Sequence, residues 1–89
     1  MAKQGPNLAK NLVIGSGGIV EVQPPFRPIP GTIISDVYWY AEDLKDNSII
    51  TPVHLVCKKP NSDQTLLTIF HNQSGRDAML YIFLTYDYV

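Results

Sequence analysis

The sequence predicts an all-β protein, a small antiparallel sandwich or barrel of four or five strands with an extended N-terminal arm. Residues 32–89 are rich in Ile, Val, Thr, Tyr and Phe, which fit a pleated sheet. Turn sequences interrupt this part roughly every dozen residues, as in an antiparallel meander. Residues 1–31 are instead rich in Gly, Pro, Asn and Gln, and no segment repeats with the helical period. We therefore divide the chain into an arm, residues 1–31, and a β-domain, residues 32–89.

Four segments of the β-domain are predicted strands. They are residues 32–42, 49–59, 65–71 and 78–89, and residues 18–23 are a candidate fifth. Tyr38 and Tyr40 share one face of the first strand. The last strand is apolar on both faces, with Leu80 and Ile82 on one and Tyr81 on the other. An apolar pattern on both faces predicts a central strand, or a strand with one face against another subunit.

The glycine cluster Gly15–Gly18 raises the question of a phosphate-binding loop. Such a loop needs a lysine after its last glycine and a helix that follows, because backbone N–H groups at the helix N-terminus hold the phosphates. Here Gly18 precedes the strand-like residues 19–22 and then Pro24 and Pro25. The cluster is better explained as a bend, since glycine adopts backbone conformations that other residues avoid.

The stretch "QPPFRPIPG", residues 23–31, holds four prolines. Prolines at this density favour an extended polyproline-II path, which serves either as a recognition segment or as a stiff spacer. We favour the spacer, with Phe26 and Ile29 as anchors in pockets of a neighbour. Val20 and Val22 lie in the preceding segment, which we expect to pair with a sheet edge of that neighbour.

Composition excludes several classes of partner and location. The net charge is −1, from seven basic and eight acidic residues, so no basic surface for nucleic acid or an anionic membrane is expected. The single cysteine cannot form an internal disulfide. The apolar run Leu12–Ile14 is too short for a signal peptide, and no run approaches the ~20 apolar residues of a membrane helix. We expect a virion or cytoplasmic location.

Neither a cofactor site nor a catalytic site is predicted. His54, Cys57 and His71 are the soft metal ligands of the chain, and strand alternation sets positions 54 and 57 on opposite faces. A nucleophile trio of Cys57, His71 and Asp36 or Asp87 would need a cleft that holds the groups within hydrogen-bond reach. A domain this small rarely forms such a cleft, so we predict no enzyme, no metal and no cofactor.

Eight of the nine aromatic residues lie in the β-domain. Three roles are open for them. They could pack a core, form a protein interface, where aromatic residues are enriched, or stack on sugars or single-stranded bases. The leading hypothesis is a non-enzymatic assembly protein, a homo-oligomer that packs in many copies through arm exchange and an aromatic face, as in a virion decoration, minor capsid or tail-associated protein. The alternative is a small ligand-binding module, lectin-like or single-strand-binding. The predicted partner-binding residues are Val20, Val22, Phe26, Ile29, Tyr38, Tyr40, Tyr81 and Phe83.

Overall fold

The computed structural model describes residues 3–22, 25–50, 53–62 and 64–88, and these contain six strands and no helix. The strands are β1 (Lys3–Ile14), β2 (Ile19–Glu21), β3 (Thr32–Asp43), β4 (Val53–Pro60), β5 (Leu66–Asn72) and β6 (Ala78–Tyr88). The predicted all-β antiparallel fold is confirmed. Positions 1, 2, 23, 24, 51, 52, 63 and 89, which belong to the predicted segments, lie outside the described residues.

The strands form two antiparallel three-stranded sheets that pack as a small sandwich. One sheet has the order β1-β6-β3 and the other has the order β2-β5-β4. The predicted central position of the last strand is confirmed, because β6 pairs with β1 on one side and β3 on the other. The strand that is apolar on both faces therefore lies where neither edge meets water.

The core lies between the two sheets. From β6 it takes alternate residues, all fully or nearly buried: Ala78, Leu80, Ile82, Leu84 and Tyr86. Opposite them, Phe70 of β5 is completely buried, and its ring meets the Trp39 ring edge-on with centroids 5.5 Å apart. The Trp39 indole N–H donates to the carbonyl of Val53, at 2.9 Å. Trp39 of one sheet thus joins both β4 and β5 of the other.

The N-terminal segment is not an arm that leaves the domain, and this corrects the division at residue 31. Residues Lys3–Ile14 form β1, which pairs with β6 of the same chain, and Ile19–Glu21 form β2, which pairs with β5. Phe26 and Leu66 exchange two backbone hydrogen bonds of 2.8 Å. Residues 3–14 stay with their own domain for two reasons. Leu12 and Ile14 of β1 pack against the core, and pairing with β6 satisfies the backbone hydrogen-bonding groups of the strand.

One buried polar atom of the core lacks a hydrogen-bond partner among the described residues, the hydroxyl of Thr68. Valine has nearly the same shape and no polar atom to desolvate, so Thr68→Val is expected to raise the free energy of unfolding by about 1 kcal/mol. A urea titration measures it as a higher midpoint with an unchanged slope. Thr65→Val is the matched control, since the Thr65 hydroxyl accepts a hydrogen bond of 2.9 Å from Asn61, and it should lower the midpoint. Equal losses in both variants would contradict this account.

Candidate interaction surface

The outer face of the β1-β6-β3 sheet carries a patch of apolar and aromatic side chains. Three strands contribute three rows of register-matched residues, which we call the outer aromatic face. The rows are Leu8, Phe83 and Tyr38; Asn11, Tyr81 and Tyr40; and Val13, Met79 and Glu42. Seven of these nine residues are apolar or aromatic, whereas the solvent face of an antiparallel sheet is ordinarily polar.

Strand alternation places these residues on the side away from the core. On β6, Tyr81 and Phe83 alternate with the completely buried Ile82 and are themselves only partly buried. Leu8 and Val13 of β1 are 54% and 55% exposed, and Tyr38 of β3 is 47% exposed. The face therefore presents large apolar groups to water along all three strands.

The central rings of the face are stacked on one another. Tyr40 lies nearly parallel to Tyr81, with centroids 4.9 Å apart and planes 21° apart, and nearly parallel to Phe83 at 5.8 Å and 19°. A stacked ring has part of its π-surface covered by its neighbour, so it is a poorer platform for a sugar or a base than a free ring. The stacking also restrains the rings, so less side-chain entropy is lost when a partner packs on them.

The outer aromatic face contains one ionisable carboxylate, Glu42. The Tyr81 hydroxyl donates a hydrogen bond to it, and this bond, together with desolvation and the negative charge, raises the pKa of the Tyr81 phenol. Tyr81 is therefore neutral at physiological pH. Glu42 is the one charged residue among the nine positions, which therefore carry a single negative charge and no positive one.

The edges of the two sheets, unlike this face, are irregular. Each of the three long edge strands contains extra residues relative to its central partner, with two register shifts in β1 and one each in β3 and β4. The remaining edge strand, β2, is three residues long. Bulges and short strands are the devices by which sheet edges avoid pairing with another chain. Contacts with another molecule are consequently favoured at a face and disfavoured at an edge.

The structure brings together four of the eight residues predicted to bind a partner and separates the others. Tyr38, Tyr40, Tyr81 and Phe83 are neighbours on the outer aromatic face. Val22 and Phe26 are in the chain's own core, only 1% and 9% exposed, so their predicted role as contacts with a neighbour is wrong. Val20 packs partly buried against that core, and Ile29 is an exposed residue just before β3, where its carbonyl accepts a hydrogen bond from the Thr32 N–H.

Sequence reasoning missed the contribution of β1 to this face. Leu8 and Val13 lie in the segment assigned to the arm, and Met79, though predicted to share a face of the last strand with Tyr81 and Phe83, is not among the predicted partner-binding residues. The signal was present in the apolar run Leu12–Ile14, because in a strand Val13 faces the side opposite to its two neighbours. Leu8 could not be placed from alternation alone, because the register shift between Leu8 and Lys10 changes the face on which it lies.

The glycine cluster forms a tight turn between β1 and β2, as the predicted bend requires. The Gly18 N–H donates to the carbonyl of Gly15 at 2.8 Å, and Gly17 has φ +73°. A side chain at position 18 would lie 2.9 Å from the Gly15 oxygen. Beside this turn, a groove of about 600 Å³ runs between three loops; its lining includes Ser16, Asp43, Asp46, Arg76 and Asp77.

The carboxylates of this groove accept hydrogen bonds from the loops that line it. Asp43 accepts hydrogen bonds from the Lys45 backbone at 2.7 Å and from Arg76 at 3.3 Å. Asp77 accepts one from the Ser16 backbone at 2.9 Å. These bonds brace the loops, and within the described ranges no group of three or more His, Cys, Asp or Glu residues could hold a metal ion.

The trio considered for catalysis is divided between the sheets. Asp36 and Asp87 belong to β3 and β6, while His71 belongs to β5 of the other sheet. The Asp36 carboxylate accepts a hydrogen bond of 2.8 Å from the neighbouring Val37 N–H. The two aspartates therefore do not supply a base partner for His71.

Comparisons with known proteins add no further constraint: no protein family matches the chain, and neither a curated protein nor a solved structure is significantly similar to it. Among the residues that the structure describes, no helix is long and apolar enough to cross a membrane.

Proposed function

We propose that this protein is a non-enzymatic assembly protein that associates with further copies of itself through the outer aromatic face. The observation that carries the proposal is the seven apolar or aromatic side chains on three adjacent strands, with Leu8, Val13 and Tyr38 each about half exposed. Contiguous apolar surface of this kind on a soluble domain commonly marks a contact site. The centres of protein interfaces are also typically rich in aromatic residues and poor in charged ones, as this face is.

A second copy is the partner that the surface chemistry favours. A two-fold contact uses the same patch on both molecules, so the patch must be complementary to itself. An apolar patch meets this condition, whereas a strongly charged one would repel its copy. Two such faces would pack as stacked sheets do, about 10 Å apart.

The size of the face implies weak individual contacts. Three strands and about six residues of length give a footprint of roughly 15 × 20 Å, well below the ~800 Å² per partner of a standard stable interface. A weak contact is useful where many copies bind together and avidity replaces affinity. A virion coat, in which a decoration or minor capsid protein recurs many times, is the setting that we propose.

The mechanism proposed here is face packing and not the exchange of an N-terminal arm. Residues 3–14 already pair with β6 of their own chain. Exchange between copies would have to break those hydrogen bonds before it replaced them.

Sedimentation of the purified chain over a range of concentrations tests the proposal. We expect a reversible shift from monomer to dimer and larger species, with a dissociation constant in the high micromolar to millimolar range, roughly −4 to −6 kcal/mol. A strict monomer up to millimolar concentration would contradict it. Saturable binding of a neutral oligosaccharide by that monomer, weakened by Tyr38→Ala, would instead support the ligand-binding alternative.

A further inference from the structure

The outer face of the second sheet brings the two histidines of the chain together. His54 of β4 and His71 of β5 are direct partners in the antiparallel register. Residues paired in this way have Cβ atoms ~4.5–5.5 Å apart and side chains on the same face. Alternation along one strand separates His54 from Cys57, which is why no metal site was predicted from the sequence. The pairing of His54 with His71 across two strands is visible only in the folded chain.

Both imidazoles face outward from the sandwich. Their neighbours toward the core, Val53 and Asn72, are a buried pair, so the pair that follows lies on the opposite side. His54 is exposed and His71 is partly buried. Within the described part of the chain, neither imidazole has a hydrogen bond or an ion pair. Their ring nitrogens are therefore available to a ligand.

We propose that His54 and His71 form a two-imidazole chelate for a borderline divalent metal ion of the zinc, nickel or copper class. Neutral imidazole suits these ions, whereas magnesium and calcium prefer oxygen ligands. Two Zn–N bonds of ~2.0–2.1 Å at a tetrahedral angle require nitrogens about 3.3 Å apart. Side chains whose Cβ atoms start ~5 Å apart can converge to that separation.

Water would fill the remaining coordination positions, since no third His, Cys, Asp or Glu among the described residues forms a ligand group with this pair. Glu21 belongs to β2, which pairs with β5 on the edge away from β4. It is the register partner of Ile69, which lies two residues before His71 on β5. It adds a negative charge to the same face. The site is thus an open one, on the opposite side of the sandwich from the outer aromatic face, and it is independent of the proposed self-association.

Proton NMR of the intact protein with Zn²⁺ alone as the probe tests this site. The chain has two histidines, so two sets of imidazole signals report on it, and His54→Gln and His71→Gln assign them. We expect both sets to respond along one saturation curve at one ion per chain. Each single variant should weaken the binding of Zn²⁺ on the order of tenfold or more, because the second ligand of a chelate binds at a high effective concentration.

Lys59→Gln, a change of an exposed residue of the same strand, is the matched control and should leave Zn²⁺ binding unchanged. Mg²⁺ in place of Zn²⁺ should produce no response in either imidazole. Both histidines lie on the outer face of the sheet, so we expect each substitution to leave the fold intact. The dispersion of the remaining NMR signals checks that each variant is folded. Two imidazoles that titrate with separate affinities, or a His71 response that is unaltered by His54→Gln, would overturn the proposal.

Discussion

Asn72→Ala is expected to destabilise the protein by about 3 kcal/mol or more, because it removes a completely buried hydrogen-bonding side chain. The Asn72 side chain is completely buried, and its amide donates to the carbonyls of Ile14 at 3.0 Å and Arg76 at 2.7 Å. Its oxygen accepts from the Ser74 N–H at 3.0 Å and from the Ser74 hydroxyl at 2.6 Å. Alanine would leave several of these groups without partners, and each buried group left unpaired costs about 1–3 kcal/mol.

The position of Asn72 explains why the loss should spread through the fold. Its backbone bonds to Gly17 and Gly18, each at 2.9 Å, join the end of β5 to the glycine turn. Its side chain joins the end of β1 to the loop before β6. One residue therefore connects the two sheets at this end of the sandwich.

Thermal unfolding measures the effect. For a domain of this size, 3 kcal/mol corresponds to a fall of roughly 10–20 °C in Tm. Gln73→Ala, a change of the adjacent exposed residue, is the control and should move Tm by little. Asn72→Asp keeps the acceptor for Ser74 but removes the donor to Ile14 and Arg76, so it separates the two halves of the network. A melting temperature for Asn72→Ala close to that of wild type would show that the network is not important for stability.

The second large effect is expected at the outer aromatic face, where Val13→Glu combined with Tyr38→Glu should abolish self-association. Both side chains are about half exposed in the single chain, so the fold should tolerate the change. In the complex, each copy would bring two like charges into an apolar contact, and burying unpaired charge is strongly unfavourable. We expect the dissociation constant to rise on the order of 100-fold, from two residues at about 1–2 kcal/mol each.

The control double variant is Ile19→Glu with Val56→Glu, in the sheet that does not carry the outer aromatic face. These residues are 65% and 58% exposed, so the control makes the same change in charge at apolar positions of similar exposure. Sedimentation should find the control as associated as wild type and the face variant monomeric. The reverse pattern would place the contact on the β2-β5-β4 sheet.

Much of the fold could be predicted from alternation and turn chemistry. Apolar residues on both faces of residues 78–89 indicated a central strand, and β6 is central. Residues 3–14 were misread because Gly5, Pro6 and the polar residues around them are typical of a loop. Pairing with β6 supplied the long-range hydrogen bonds that local propensity does not encode.

The candidate site was predicted where alternation continued without interruption. Tyr38, Tyr40, Tyr81 and Phe83 lie on regular stretches of β3 and β6, so their common face followed from their parity. Leu8 depends on register shifts in β1, and the pairing of His54 with His71 depends on which strands are neighbours. Neither quantity is written in a single strand's pattern.

NMR of the wild-type chain over a series of concentrations tests the central claim most directly, because it maps where copies meet. As concentration rises, we expect progressive shifts in the side-chain signals of Leu8, Val13, Tyr38, Tyr40 and Phe83, with the β2-β5-β4 sheet unaffected. Shifts confined to the β2-β5-β4 sheet, or spectra independent of concentration up to the millimolar range, would contradict it.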